Sequence, residues 1–203
     1  MMIVVFDKSI NSNYERKAER IMHYYYDSTS NDAALLLSEK LKYIMKVSKT
    51  STQEIIILCV GSDRSTGDSL GPIIGYKLKK NMQCNFYVYG DLDHPVHAAN
   101  LSRYMECINE TFSNPYIIAI DASLGKKDHV GLITLGLGPL RPGLGVKKKL
   151  PEVGDIHITG IVNESGNENH STLQTTRLCV IMQIADVITS AFNILQQSYI
   201  NYI

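Results

Sequence analysis

The sequence predicts an α/β fold, a three-layer α/β/α sandwich around a mostly parallel central sheet. Two observations support this prediction. Short, continuous apolar runs recur along the chain, and such runs are typical of strands that are buried on both faces, as in a parallel sheet. Between these runs, apolar residues recur at helical spacing. An alternation of strands with helices favours a parallel sheet that is covered by helices on both sides.

Length and charge narrow the classes of protein that this chain can belong to. A chain of 203 residues suits one domain, and we expect residues 1–203 to form it, with residues 1–50 as a less certain N-terminal arm and helix. The chain carries 20 Lys+Arg and 20 Asp+Glu, so its formal net charge is zero. Nucleic-acid binding needs a basic excess or a basic face, so we expect no nucleic-acid partner.

The N-terminal third is predicted to contain an arm, a helix and the first buried strand. Residues 1–30 are polar and rich in tyrosine, and we interpret residues 22–27 within them as part of a packing arm. Asn31 and Asp32 then precede apolar residues at helical spacing, which predicts a helix. Residues 54–60 form a continuous apolar run, which predicts a buried strand.

The rest of the chain continues the alternation of strands and helices. A glycine- and proline-rich segment, residues 136–151, contains Lys147–Lys149, and long loops of this kind are usually functional or mobile. The predicted elements are a helix from Ser69 to Lys80, a strand at 86–89, a helix begun at Pro95, strands at 116–120, 130–135 and 156–162, and one long helix from Ser171.

The sequence also predicts where the protein resides. Its start has no basic flank and only a short apolar run, so it does not resemble a signal peptide. We find no apolar stretch that approaches the ~20 residues needed to cross a bilayer. The four cysteines are widely spaced, which is typical of reduced thiols rather than of a disulfide framework. We therefore expect a soluble, cytoplasmic protein with no membrane partner.

Acidic residues follow two of the predicted strands. Asp63 and Asp68 lie in the loop after the first buried strand, and Asp121 directly follows the strand at 116–120. In parallel sheets, catalytic groups gather beyond the carboxyl ends of the strands. Two close carboxylates cannot both ionise easily, so such a pair can divide general acid and general base work on a water molecule. The alternative is that these aspartates only form turns or cap helices.

Other polar residues suggest further sites. Arg64 and Arg177 lie near the ends of predicted elements, where either could pair with a carboxylate of the cleft and lower its pKa. Five histidines invite a metal site: His94, His97, His129, His157 and His170. The glycines of the loop raise the alternative of a phosphate site, although their spacing matches neither common phosphate-binding motif. These glycines are Gly61, Gly67, Gly71 and Gly75.

Several motifs, in order, resemble one family. They span roughly residues 55–190 and read CVGSDRSTGDSLGP at 59–72, DHPVHAANL at 93–101, IAIDASLG at 118–125, LPEVGDIHITGIVN at 150–163 and LQTTRL at 173–178. This set resembles the YyaC family of sporulation proteins. That family is similar to the germination protease of spore formers and, more distantly, to hydrogenase maturation endopeptidases.

The resemblance implies an α/β/α sandwich and an aspartate-dependent peptidase. In the germination protease, a DALGP stretch supplies one catalytic aspartate and an I-x-x-D-A-L stretch supplies the other. Residues 68–72 and 118–122 match these stretches, which assigns the catalytic roles to Asp68 and Asp121. We expect six further polar residues to bind substrate or support the site: Asp63, Arg64, Thr66, Asp93, His97 and Arg177.

The predicted function is that of a sporulation-associated peptidase without a cofactor or metal. Its partner would be a peptide or protein substrate, among them the small acid-soluble proteins of spores, inside the forespore or sporulating cell. A homo-oligomer is compatible with the sequence. Two alternatives stay open. One is a peptide-binding or assembly protein that has lost catalysis, and the other is a nickel-sensing maturation endopeptidase with His170 as the nearest third ligand.

Overall fold

The computed structural model describes residues 3–5, 23–81, 86–142, 150–166 and 169–200, and only the backbone of residues 3–5, 169–170 and 199–200. Lys147–Lys149 therefore lie outside the described residues. The strands are β1 (Ile3–Val5), β2 (His23–Asp27), β3 (Ile55–Cys59), β4 (Phe86–Tyr89), β5 (Tyr116–Gly125), β6 (Leu132–Leu137) and β7 (Ile156–Glu164). The helices are α1 (Ala33–Ser48), α2 (Leu70–Asn81), α3 (Leu101–Thr111), α4 (Asn169–Gln174) and α5 (Leu178–Ile200), with 3-10 turns at Thr66–Ser69 and Lys127–His129.

The seven strands form one sheet in the order β1-β2-β6-β7-β5-β3-β4. Strands β4, β3, β5 and β7 are parallel neighbours, whereas β6 is antiparallel to β7 and to β2, and β1 is antiparallel to β2. Consequently β2 runs in the direction of the four parallel strands, and only β6 and β1 among the described strands run against them. The α/β class and the mostly parallel sheet are confirmed.

Strand β3 shows why the continuous apolar runs predict strands buried on both faces. All five of its residues are buried. Ile55 and Ile57 contribute to one hydrophobic cluster, while Ile56 and Leu58 contribute to another on the opposite face. Residues of α1, α2 and α5 complete the first cluster, and residues of α3 complete the second. The three layers of the predicted sandwich follow from this division.

The interpretation of residues 22–27 as part of a packing arm was wrong for the described residues, because His23–Asp27 form β2 within the sheet. Tyr24 and Tyr26 of β2 are buried in the cluster that includes α1. The strand predicted at 130–135 is β6, which begins two residues later. Pro95 does not begin a helix, since it lies in the loop after β4 and α3 begins at Leu101.

The long helix predicted from Ser171 is interrupted between α4 and α5. Asn163, near the end of β7, stabilises this break in the helix. Its side-chain amide donates one hydrogen bond to the carbonyl oxygen of Thr172 at 3.1 Å and another to the hydroxyl of Thr176 at 3.2 Å. Thr176 is buried there. A contact between remote elements therefore sets the end of α4, and helical spacing alone does not contain that information.

In the described part of the chain, one helical segment, Leu178–Ser198, is long and apolar enough to cross a membrane by length and composition. The expectation that no apolar stretch approaches this length was therefore wrong. The segment belongs to α5, which contacts α1, α2 and β7. Ile184, Ile188 and Phe192 on its inner side are fully buried in the first cluster. Its apolar character is thus used in the core of the protein.

Candidate active site

The chain turns sharply where β3 ends, and this turn carries Asp68. Gly61 has φ +142°, and a Cβ added to it would lie 2.1 Å from the carbonyl oxygen of Asp68. That oxygen accepts a hydrogen bond from the Ser62 N–H at 3.0 Å. The 3-10 turn Thr66–Ser69 is thereby held directly over the end of β3. Asp68 is half-buried within it.

The glycines that follow β3 permit close packing of α2. A Cβ on Gly71 would lie 2.0 Å from the carbonyl oxygen of Val60, and one on Gly75 would lie 1.8 Å from that of Gly90. Real Cβ atoms do not approach backbone so closely, so only glycine allows α2 to lie against these strand ends. This packing accounts for the glycine spacing and leaves the phosphate alternative without support.

Asp121 lies in a strand that continues beyond it, since β5 runs on to Gly125 instead of ending at Asp121 as predicted. The side chain is buried, and its Oδ1 accepts a hydrogen bond from the Ala122 N–H at 2.8 Å. Burial raises the pKa of Asp121 well above its ordinary value, and the charge of Asp68 raises it further, whereas the Ala122 N–H opposes the shift.

The 3-10 turn that carries Asp68 contacts β5, the strand that carries Asp121, near the carboxyl edge of the sheet. The charge of Asp68 also helps to raise the pKa of Asp121, which makes the two acids a candidate pair. Asp68 is half-buried and therefore accessible to water, whereas the raised pKa of Asp121 favours its protonated form. Such a pair has one group suited to accept a proton and one suited to donate it.

A row of hydroxyl groups continues from this pair across the sheet, and the sequence analysis missed it. Thr159 of β7 is the register partner of Asp121 in β5. Its hydroxyl oxygen lies 2.7 Å from that of Thr134 in β6 and accepts a hydrogen bond from Ser123 at 3.3 Å. The only signal in the sequence is a polar residue inside each of two apolar strands, and the row appears once β6 and β7 are known to pair.

Two histidines lie further along the same side of the sheet. His157 is buried, its Nδ1 lies 2.9 Å from the carbonyl oxygen of Gly138, and its ring meets that of His23 edge-on with centroids 5.5 Å apart. Burial lowers the pKa of His157, although the Gly138 carbonyl opposes this shift. His157 is therefore favoured in its neutral form.

The other predicted site residues differ in how they relate to the pair. Thr66 lies in the same 3-10 turn as Asp68. His97 follows Val96, whose carbonyl oxygen accepts from the Gly61 N–H at 2.8 Å, so the His97 loop adjoins the turn after β3. The Nδ1 of His97 accepts from the Ala99 N–H at 3.3 Å.

Four predicted residues have exposed side chains: Asp63, Arg64, Asp93 and Arg177. Asp63 and Arg64 belong to the loop between β3 and Asp68, Asp93 to the loop after β4, and Arg177 to the interruption between α4 and α5. Neither arginine is among the causes of the shift in the pKa of Asp121.

Asp91 is a second buried acid at a strand end. Its carboxylate forms a salt bridge with Lys79 and accepts from the His94 N–H at 2.6 Å. Burial raises the pKa of Asp91, but the hydrogen bonds and the charge of Lys79 outweigh this effect, and the pKa is lowered overall. Asp91 is thus an ionised residue that fastens the loop after β4.

Within the described residues, no three histidine, cysteine or acidic side chains are grouped to hold a metal ion. The side chain of His170 lies outside the described residues, so the nickel alternative stays a prediction. A cavity of about 400 Å³ lies at the far ends of β5 and β7. Its lining residues are Gly125, Lys126, Lys127, Glu164 and Ser165.

Comparison with solved structures finds the crystal structure of a [NiFe] hydrogenase maturation protease, HycI from Thermococcus kodakarensis KOD1. It matches with a TM-score of 0.46 and 13% sequence identity, over 77% of this chain and 99% of that one. Comparison with curated sequences finds the uncharacterized protein YyaC of Bacillus subtilis (strain 168). It is 43% identical over 176 residues, which are 87% of this chain and 84% of YyaC. The resemblance to YyaC is thereby confirmed. A family model described as a protein of unknown function (DUF1256) matches residues 23–191, and the chain belongs to this family.

Proposed function

We propose that this protein is a peptidase that uses Asp68 and Asp121 to hydrolyse peptide bonds. The observation that supports this proposal is the pairing of a half-buried carboxylate with a buried carboxyl group whose pKa it helps to raise. Paired carboxyl groups with unequal proton affinities are a known arrangement for activating water. No cofactor is needed for this chemistry.

In the proposed mechanism, Asp68 acts as the general base and Asp121 as the general acid. The Asp68 carboxylate takes a proton from a water molecule, whose oxygen attacks the peptide carbonyl carbon. Protonated Asp121 gives its proton to the carbonyl oxygen, so the tetrahedral intermediate forms without a free oxyanion. When the C–N bond breaks, Asp68 returns its proton to the leaving amine, and Asp121 recovers its proton from the intermediate's hydroxyl as the carboxylic acid product forms.

The proposed substrate is a peptide or protein of the sporulating cell, with the small acid-soluble proteins of spores as the first candidates. The 43% identity to YyaC supports this choice only through the sporulation role that the family resemblance implies. The same resemblance suggests the cytoplasm of the forespore as the location. The substrate proposal and the catalytic proposal are separable, because a different protein substrate would leave the roles of the aspartates unchanged.

The test is the cleavage of purified small acid-soluble spore proteins by wild type, Asp68→Asn and Asp121→Asn. We expect each substitution to lower kcat by about 10²–10⁴-fold, since each removes a general acid or base. Asp186→Asn is the matched control, because Asp186 is exposed on α5 and forms a salt bridge with Lys77 at the surface. Activity of wild type should fall with rising pH as Asp121 ionises.

Full activity in Asp68→Asn would contradict the proposal. Binding of the substrate without any cleavage between pH ~4 and ~8, the range in which a coupled carboxyl pair titrates, would instead support a peptide-binding or assembly protein on the same fold. Calorimetry with Ni²⁺ on wild type and on His170→Ala addresses the third alternative. No heat of binding in either protein would exclude a nickel-sensing endopeptidase.

A further inference from the structure

Strand β5 extends past the point where its neighbour β3 ends. Pairing between the two strands reaches Cys59 and Ile120, whereas pairing between β5 and β7 continues to Gly125 and Glu164. Beyond Ile120, β5 is therefore paired on its β7 side alone, among the strands that the structure describes. The other edge of β5, on the side where β3 has ended, begins beside Asp121.

The direction of the backbone groups along this edge follows from the strand alternation. The Ile120 carbonyl oxygen accepts a hydrogen bond from the Val60 N–H at 2.7 Å. The backbone N–H and carbonyl of Ile120 therefore point towards β3. Alternate residues of a strand face the same side, which directs the groups of Ala122 and Leu124 there as well. By the same alternation, the backbone groups of Gly125 should point towards β7. This agrees with the hydrogen bond that the Gly125 carbonyl oxygen accepts from the Ser165 N–H at 2.7 Å. The register shift near Ser123 skips a residue of β7, so β5 keeps its alternation.

The carboxyl group of Asp121 occupies part of this edge. Its Oδ1 accepts from the Ala122 N–H at 2.8 Å, which directs the candidate general acid to the side where β3 has ended. Three further backbone groups face the same side, the Ala122 carbonyl and the N–H and carbonyl of Leu124, and none of them is hydrogen-bonded to a loop in the part of the chain that the structure describes. Residues 122–125 are half-buried, unlike the fully buried Ile120, and the cavity lined by Gly125 lies at the far end of the edge.

We propose that this edge of β5 binds the substrate as an added β-strand, next to the 3-10 turn that carries Asp68 and contacts β5. The inference rests on the proposed peptidase function and names its substrate class, which is an extended, unfolded peptide segment. Such a segment pairs its own N–H and C=O groups with Ala122 and Leu124, as in other cases of strand addition. Its backbone then passes beside Asp121, where the peptide bond must lie to be hydrolysed.

This mode of binding has a consequence for specificity. The contacts from Ala122 and Leu124 are made to the main chain, so they are available to many sequences. A folded substrate cannot supply them, because its peptide groups are already paired. The site should therefore select for local unfolding of the substrate more than for particular side chains.

The test compares Leu124→Pro with Leu124→Ala. Both variants lose the same leucine side chain, and only proline also lacks the N–H that the added strand needs. Proline is tolerated where the N–H of an edge strand faces outward. The probe is a randomised library of end-blocked peptides about ten residues long, long enough for one strand. We expect kcat/KM for the library to be about tenfold lower in Leu124→Pro than in Leu124→Ala, which corresponds to about 1.4 kcal/mol.

A second measurement does not depend on turnover or on the folding of the proline variant. Hydrogen exchange of the Leu124 amide is followed in Asp68→Asn, with the library and with the same library N-methylated at alternate residues. The unmodified library should slow exchange at Leu124, and the N-methylated library should not. Equal exchange with both libraries, or equal kcat/KM in the two Leu124 variants, overturns strand addition. If Asp68→Asn cleaves as wild type does, the proposed function itself fails, and the two failures are thus distinguished.

Discussion

Two buried aspartates belong to the chain segments on either side of β3, Asp91 just after β4 and Asp121 within β5, and their pKa values shift in opposite directions. Lys79 pairs with Asp91 and, with backbone hydrogen bonds, lowers the pKa of Asp91 despite burial. For Asp121, burial and the charge of Asp68 both raise the pKa. Both acids are buried, so the difference in the direction of their pKa shifts follows from the charge of the neighbour, Lys79 beside Asp91 and Asp68 for Asp121.

The raised pKa of Asp121 predicts that Asp121→Asn stabilises the fold at neutral pH. Between the unfolded and folded pKa values, the native state binds more protons than the unfolded state, so stability falls as pH rises through this window. Asparagine mimics the protonated carboxyl group and removes this loss. We expect Asp121→Asn to raise Tm at pH 8 by a few degrees, since about 1 kcal/mol shifts Tm by ~2–4 °C at this size. The gain should shrink towards pH 4. Thermal unfolding followed by circular dichroism across this range measures it.

The matched substitution Asp91→Asn should have the opposite effect. The lowered pKa of Asp91 contributes stability above its unfolded pKa, and this contribution is lost as pH falls through the folded pKa. We therefore expect Asp91→Asn to cost about 1.5–3 kcal/mol at neutral pH, because a charged hydrogen-bond partner of Lys79 is lost.

A lower Tm for Asp121→Asn than for wild type at pH 8 would contradict the assignment of a protonated Asp121.

At the scale of elements, the position of Asp68 depends on how closely α2 approaches the end of β3. Gly71 lies against the Val60 carbonyl with no space for a Cβ. Asp68 immediately precedes α2, so any outward movement of the helix would also move the 3-10 turn that holds this carboxylate. The glycine is thus a structural requirement of the candidate site, although it contacts no substrate.

We predict that Gly71→Ala destabilises the protein by about 1–3 kcal/mol, the usual cost of inserting a methyl group into tightly packed surroundings. The higher helix propensity of alanine works against this loss and does not remove the contact of 2.0 Å with the Val60 carbonyl. Gly166→Ala is the control, because a Cβ there meets no atom within 4 Å. Urea unfolding compares the two. Equal free energies of unfolding for Gly71→Ala and wild type would show that α2 does not depend on this contact.

The elements that the sequence predicts correctly are those whose signal is local. All five residues of β3 lie in an apolar run, and the apolar run at 116–120 likewise lies in β5, although β5 continues past Asp121 to Gly125. Strand β2 was missed because its partner β6 is remote in sequence and three of its five residues are not buried. The interruption before α5 was missed because Asn163 of β7 imposes it. The hydroxyl row likewise depends on pairing between strands, which no local pattern contains.

At the scale of the whole molecule, α5 contacts elements from both the first and the second half of the chain. It contacts α1 and α2 within its own layer and β7 of the sheet. Through the 3-10 turn that precedes α2, it also adjoins the element that carries Asp68. A helix this apolar in composition therefore packs, with α1 and α2, against one face of the sheet, and it also adjoins the turn that carries Asp68.

This role predicts that the inner side of α5 tolerates no charge, whereas its outer side does. Ile188 is fully buried in the first cluster, and Gln183 on the same helix is exposed. We expect Ile188→Lys to cost about 3–5 kcal/mol, because it leaves an uncompensated charge in the core. Gln183→Lys should change the free energy of unfolding by less than about 0.5 kcal/mol. Urea unfolding in detergent-free buffer measures both. Equal stability of the two variants would mean that α5 does not pack its Ile188 side on the sheet, and a helix of this composition would then need another apolar environment.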